Sequence, residues 1–109
     1  MNEKILVIAA HPDDETLGVG GTIAKHITEG DEVFVFILGE GVAERHGNGV
    51  SHRIKQHAIE AAKILGVKPE NVSFGGCLYE KRFDDSHLTD LIVLIEKKIE
   101  EISPEIVYT

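Results

Sequence analysis

The sequence predicts an α/β domain built on a parallel sheet. Three observations carry this: unbroken apolar runs in place of alternating ones, helix-period segments between those runs, and glycine or proline where each segment should stop. The runs at 5–10 (Ile-Leu-Val-Ile-Ala-Ala) and 33–38 (Val-Phe-Val-Phe-Ile-Leu) contain no polar residue. Strands of that kind must be buried on both faces, as in a sheet sandwiched between helices. Between them Val19, Ile23 and Ile27 recur at four-residue spacing, which predicts a helix from about Thr16 to a stop at Gly30.

A polar, glycine-bearing loop is expected from Gly39 to about Gly49. Ile54, Ala58, Ala61, Ala62 and Leu65 then form the apolar face of a second helix over 51–65, with Gly66 in the position of a left-handed cap. A short third strand is expected at 71–74 and a loop at 75–86. Leu88, Ile92, Ile95, Ile99 and Ile102 follow at spacings of three and four, marking a third helix that stops before Pro104. A fourth strand at 105–108 closes the series. Strands alternating with helices require right-handed crossovers. The expected fold is therefore a Rossmann-like parallel sheet of order 3-2-1-4 with helices on both faces, in a single domain over 1–109 that is truncated after its fourth strand. Strands one and four are neighbours in that order. The crevice outside their carboxyl ends is the switch point where such folds bind ligands.

Composition narrows the function. Eleven basic residues against nineteen acidic give a net charge of −8, a field that repels nucleic acid and anionic membranes. No apolar run approaches the roughly 20 residues that cross a bilayer. Cys77 is the only cysteine, so no internal disulfide forms, and the amino terminus lacks a signal-peptide pattern; a cytoplasmic setting is expected.

The chemistry concentrates in His11-Pro12-Asp13-Asp14-Glu15, directly after the first strand. Carboxylates at a helix start are often caps that meet the positive end of the helix dipole. Capping accounts for one or two acids, but not for a His-Pro-Asp-Asp-Glu run on a buried strand. Pro12 fixes one dihedral, and the turn from strand to helix aims His11 and Asp14 at one point. Imidazole nitrogen with carboxylate oxygen is a zinc ligand set, and catalytic zinc keeps a position open for water. Asp13 is then placed to take a proton from that water.

His11-Pro12-Asp13-Asp14-Glu15, preceded by Ala10 and followed by Gly18-Val19-Gly20-Gly21-Thr22, resembles the opening motif of the LmbE/PIG-L family. The resemblance continues through Ala61-Ala62-Lys63-Ile64-Leu65-Gly66-Val67, Arg82-Phe83-Asp84 and Pro104-Glu105-Ile106-Val107-Tyr108-Thr109. It implies a zinc-dependent deacetylase of N-acetylglucosamine-type sugars, represented here by its amino-terminal portion. By position it implies that His11 and Asp14 bind Zn2+ and that Asp13 is the general base. Arg53 matches a substrate-contacting arginine, although Gln56 stands where the family motif usually has glutamate. Arg82 and Asp84 match a loop near the pocket, with Glu80-Lys81 replacing the usual Asp-Asn. The family's third zinc ligand is a histidine after the fourth strand and has no counterpart here, so little activity is expected of these 109 residues alone.

The remaining histidines, His26, His46, His52, His57 and His87, are assigned to solvent or packing, with His46 as the stand-in of freest reach for the absent ligand. The Gly18–Gly21 cluster lies too far from the strand for a dinucleotide loop and is read as close packing. The competing function is a non-catalytic binding or assembly module, with nucleotide binding as a third. Uncovered apolar surface would favour a homo-oligomer.

Overall fold

The computed structural model describes residues 2–9, 14–39, 48–77 and 85–109. The element order is β1 (Lys4–Ala9), α1 (Asp14–Thr28), β2 (Glu32–Gly39), α2 (Asn48–Ile64), a 3-10 turn (Pro69–Asn71), β3 (Val72–Cys77), α3 (Asp85–Ile102) and β4 (Ile106–Tyr108). The four strands form one sheet of order β3-β2-β1-β4, and every pairing is parallel. This is the expected order.

β1 lies between β2 and β4, with Ile5 opposite Val33 on one side and Ile106 on the other. Its side chains alternate between two cores. Ile5, Val7 and Ala9 pack with Ile23 of α1 and with Ala58 and Ala62 of α2. Leu6 and Ile8 pack with Phe36, Leu38 and the α3 residues Leu94, Ile95, Ile99 and Ile102. Two helices thus cover one face and α3 covers the other. That arrangement follows from right-handed crossovers: β1 to β2 to β3 moves one way across the sheet, and β3 to β4 moves back.

All three helices end in left-handed caps. Gly30 and Gly66 have φ of 91° and 102°. At the end of α2, Gly66 donates to the carbonyl of Lys63 and Val67 to that of Ala62; at the end of α1, Gly30 donates to Ile27 and Asp31 to His26. Both are the paired bonds of a Schellman cap. The cap of α3 is simpler: Ser103, at φ 53°, donates to Ile99, and Pro104 prevents continuation.

Four details differ from the sequence expectation. β3 runs to Cys77, so Gly75 lies in a strand and not in a loop. A Cβ at Gly75 would stand 3.2 Å from the Leu38 carbonyl oxygen, beside the register shift between Ile37 and Gly39, where only a glycine lets the two backbones approach this closely. Asn71 belongs to the 3-10 turn, from which its amide donates to Glu32 Oε2 and the Val33 carbonyl, each at 3.3 Å. Ile92 was assigned to the apolar face of α3, yet it is 46% exposed beside Val93 at 44%; Leu94 packs in its place. The Gly20-Gly21 pair reads as close packing in the sequence, but among the described residues a Cβ at Gly21 meets nothing within 4 Å, and one at Gly20 meets only Leu65 at 4.0 Å.

Two glycine substitutions should therefore have opposite effects. Gly66→Ala places a Cβ 2.8 Å from Ile27 Cγ2 at a positive φ, and should lower stability by at least about 1–2 kcal/mol. Gly21→Ala, in open space within α1, should raise it by up to about 1 kcal/mol. Urea denaturation of the two variants checks both signs.

Candidate functional site

The carboxyl ends of the strands are where a doubly wound sheet places its chemistry. Residues 10–13 connect the end of β1 to the start of α1 at Asp14, and β1 and β4 are the strands that flank the switch point. His11 and Asp13 lie outside the described residues, as do Arg82, Asp84 and His46. Asp14 is the first residue of α1, which puts it at the positive end of that helix, and its side chain is not among those described. Arg53 is an exposed residue near the start of α2. His57 is exposed one turn further along. Cys77 ends β3.

A second polar centre lies near the other end of α1. His26 is twelve residues beyond Asp14, about 18 Å along the helix axis at 1.5 Å per residue. Its Nδ1 is 2.8 Å from Asp31 Oδ2, and its Nε2 is 3.0 Å from the Tyr108 hydroxyl. The other Asp31 oxygen accepts the Glu3 backbone N–H at 3.0 Å. Asp31 is only 6% exposed, and its hydrogen bonds hold the charge there. The bond from His26, and after it that from Glu3, lower its pKa from 3.8 to about 2, against a burial effect that raises it.

The Schellman cap explains the pairing. It brings the third residue from the helix end against the third residue past it, positions that usually share an apolar contact. In α2 these are Ala62 and Val67, both in the core. In α1 they are His26 and Asp31, and the contact is a hydrogen bond between an imidazole and a carboxylate. The histidine had been assigned to solvent or packing; the signal for its partner was the five-residue spacing across Gly30.

His26, Glu29 and Asp31 offer ligand atoms within 4.8 Å of one another, a set that would suit a cation. The His26 and Asp31 atoms already satisfy each other, however, and a metal would have to displace the proton between them. A cleft of about 410 Å³ adjoins this end of the sheet, lined by Lys4, Gly30, Asp31, Glu32, Lys68 and Asn71 among others. Neither feature lies at the Asp14 end of α1.

Comparison with known proteins decides the family. Residues 6–109 match the PIG-L family, described as GlcNAc-PI de-N-acetylase. The chain belongs to this family. Among PIG-L relatives, the 1D-myo-inositol 2-acetamido-2-deoxy-alpha-D-glucopyranoside deacetylase of Mycolicibacterium smegmatis is 42% identical over 65 residues, covering 58% of this chain and 21% of that enzyme. The N,N'-diacetylchitobiose deacetylase of Pyrococcus horikoshii shares the fold with a TM-score of 0.72 at 26% identity, over 96% of this chain and 39% of that one. The 4-carboxy-2-hydroxymuconate hydratase of Pseudomonas putida does so with a TM-score of 0.69 at 27% identity, over 96% and 45%. The PIG-L chain thus matches less than half the length of each of these three proteins. No helix among its described residues is long and apolar enough to cross a membrane.

The Asp31 interaction has an acid signature. A carboxyl whose folded pKa lies below its unfolded value contributes stability that is fully present above about pH 4 and is lost as pH falls toward 2. Asp31→Asn should be less stable than the parent at pH 7, with the difference shrinking between pH 4 and 2. Urea denaturation at stepped pH checks this; a constant difference across that window would contradict it.

Proposed function

We propose that this PIG-L chain is one domain carrying the amino-terminal part of a zinc-dependent hydrolase, which removes the acetyl group from an N-acetylglucosamine-type sugar or a related amide. The observation that carries the reading is the family match over residues 6–109, combined with a His-Pro-Asp-Asp-Glu run that follows β1 in the sequence and whose last two residues open α1. One imidazole and one carboxylate fit zinc, and capping of α1 requires fewer acids than the run contains. His11 and Asp14 would hold the ion, which when bound supplies charge that polarises an amide carbonyl and acidifies water. Asp13 takes the proton from the attacking water and returns it to the departing nitrogen, so that acetate and a free amine leave. Arg53, Arg82 and Asp84 are the proposed substrate contacts. A cytoplasmic setting, a small-molecule sugar as partner and self-association over the exposed Ile92 and Val93 complete the reading.

One observation favours a second reading. A hydratase matches this fold at 27% identity, and adding water across a carbon–carbon double bond calls for the same activated water. The two are separated by product: a free amine and acetate from an acetamido sugar, or a hydroxylated acid from an unsaturated one.

Zinc titration with product assays tests the proposal. His11→Ala and Asp14→Ala should each weaken zinc binding by more than about 10-fold, while His46→Ala should not. Two ligands predict slow acetate release by the 109 residues alone. In a PIG-L polypeptide that also carries the histidine following strand four, Asp13→Asn should slow acetate release by about 10²–10⁴. Equal zinc loss in His46→Ala and His11→Ala would defeat the ligand assignment, and rapid acetate release by the 109-residue chain would defeat the need for a further ligand.

A further inference from the structure

We infer that Asp31, His26 and Tyr108 form a second reactive centre, in which the Tyr108 hydroxyl is a nucleophile toward activated acyl groups. Its histidine lies twelve residues along α1 from Asp14, and it needs no metal, so it stands independently of the zinc hydrolase reading.

The assignment follows from the hydrogen-bonding capacity of each group. An ionised carboxylate only accepts, so with Asp31 Oδ2 at 2.8 Å the proton of the neutral imidazole sits on Nδ1. Nε2 then carries the lone pair, and the Tyr108 hydroxyl at 3.0 Å donates to it. The connections match those of a nucleophile, its base and the carboxylate that orients the base. Asp31 is anchored by the Glu3 N–H and by the Schellman cap of α1. Tyr108 is anchored by the pairing of β4 with β1, where it lies opposite Val7. The two rings stand 5.7 Å apart at 53°. Glu29 offers a carboxylate oxygen within 4.8 Å of the same group.

Access is available as well. Tyr108 is half-buried near the end of β4, an outer strand of the sheet among the described residues, and the His26 side chain retains 13% exposure. With an aryl acetate, Tyr108 Oη bonds to the carbonyl carbon, the bond from that carbon to the aryl oxygen breaks, and the phenolic proton passes to His26 Nε2. The products are a tyrosyl acetate and a phenolate.

The test is reaction of the 109-residue chain with p-nitrophenyl acetate in the presence of a chelator, with acetylated positions mapped by peptide mass spectrometry. Tyr79, the chain's other tyrosine, is the internal reference. Tyr108 should be acetylated at least about 10-fold faster than Tyr79, and the ratio should fall toward one in His26→Gln and in urea-unfolded parent protein. Should His26→Gln fail to fold, the pH profile of the parent decides. A Tyr108 rate that levels off near the titration of an imidazole supports the inference, whereas one that keeps rising toward about pH 10, as an ordinary phenol does, overturns it. A Tyr108 to Tyr79 ratio near one in the folded parent also overturns it.

Discussion

β1 is enclosed from four directions, and the rest of the chain is arranged to achieve this. Ile5 and Leu6 have no exposed surface and Val7 only 2%. Leaving one face of such a strand in water would forfeit about 1.5–3 kcal/mol for each large side chain exposed. An unbroken apolar strand therefore needs a strand on each side and helices above and below, and parallel crossovers provide both. Once β1 is central, its carboxyl end opens beside the switch point. A polar, metal-suited run follows it in the sequence, directly after the most deeply buried strand of the sheet.

This is why the fold was legible. The runs at 5–10 and 33–38 admit no reading as half-solvated strands, and their alternation with helix-period segments leaves few topologies. What escaped the sequence depends on partners distant in the chain. Gly75 reads as a loop residue until Leu38 of the neighbouring strand is seen against it. Asn71 reads as strand until its amide is found on Glu32 and Val33. Ile92 fits a helical stripe by spacing, but the stripe that packs runs through Leu94, Ile95, Ile99 and Ile102. Periodicity fixes that a face exists and leaves its rotation about the helix axis to tertiary contact.

The candidate site divides in the same way. The His11 to Glu15 run is conspicuous because an imidazole and three carboxylates follow an unbroken apolar run directly in the sequence, more acids than the start of a helix needs. The His26, Asp31 and Tyr108 group is silent in the sequence because its members are each ordinary: a histidine late in a helix, an acid after a capping glycine, a tyrosine in a terminal strand. Only the left-handed turn at Gly30 makes the first two meet, and only the parallel pairing of β4 brings the third. The same turn geometry in α2 joins Ala62 and Val67 with no polar consequence, so the turn supplies proximity and the residue types decide what proximity does.

The relation between scaffold and reaction is looser than that between sequence and scaffold. A deacetylase and a hydratase match this sheet at 26% and 27% identity, so the fold alone does not choose between an amide carbonyl and an alkene as the group water attacks. Both reactions call for an activated water. The choice of electrophile belongs to groups that orient the substrate over that water, since misplacement by about 1 Å is enough to cost about 10²-fold in rate. The residues proposed for that task, Arg53, Arg82 and Asp84, come from α2 and from the stretch of sequence between β3 and α3, apart from the motif. On the proposed reading a short motif specifies the activated water while the substrate is specified elsewhere, so that the two can change independently on one fold.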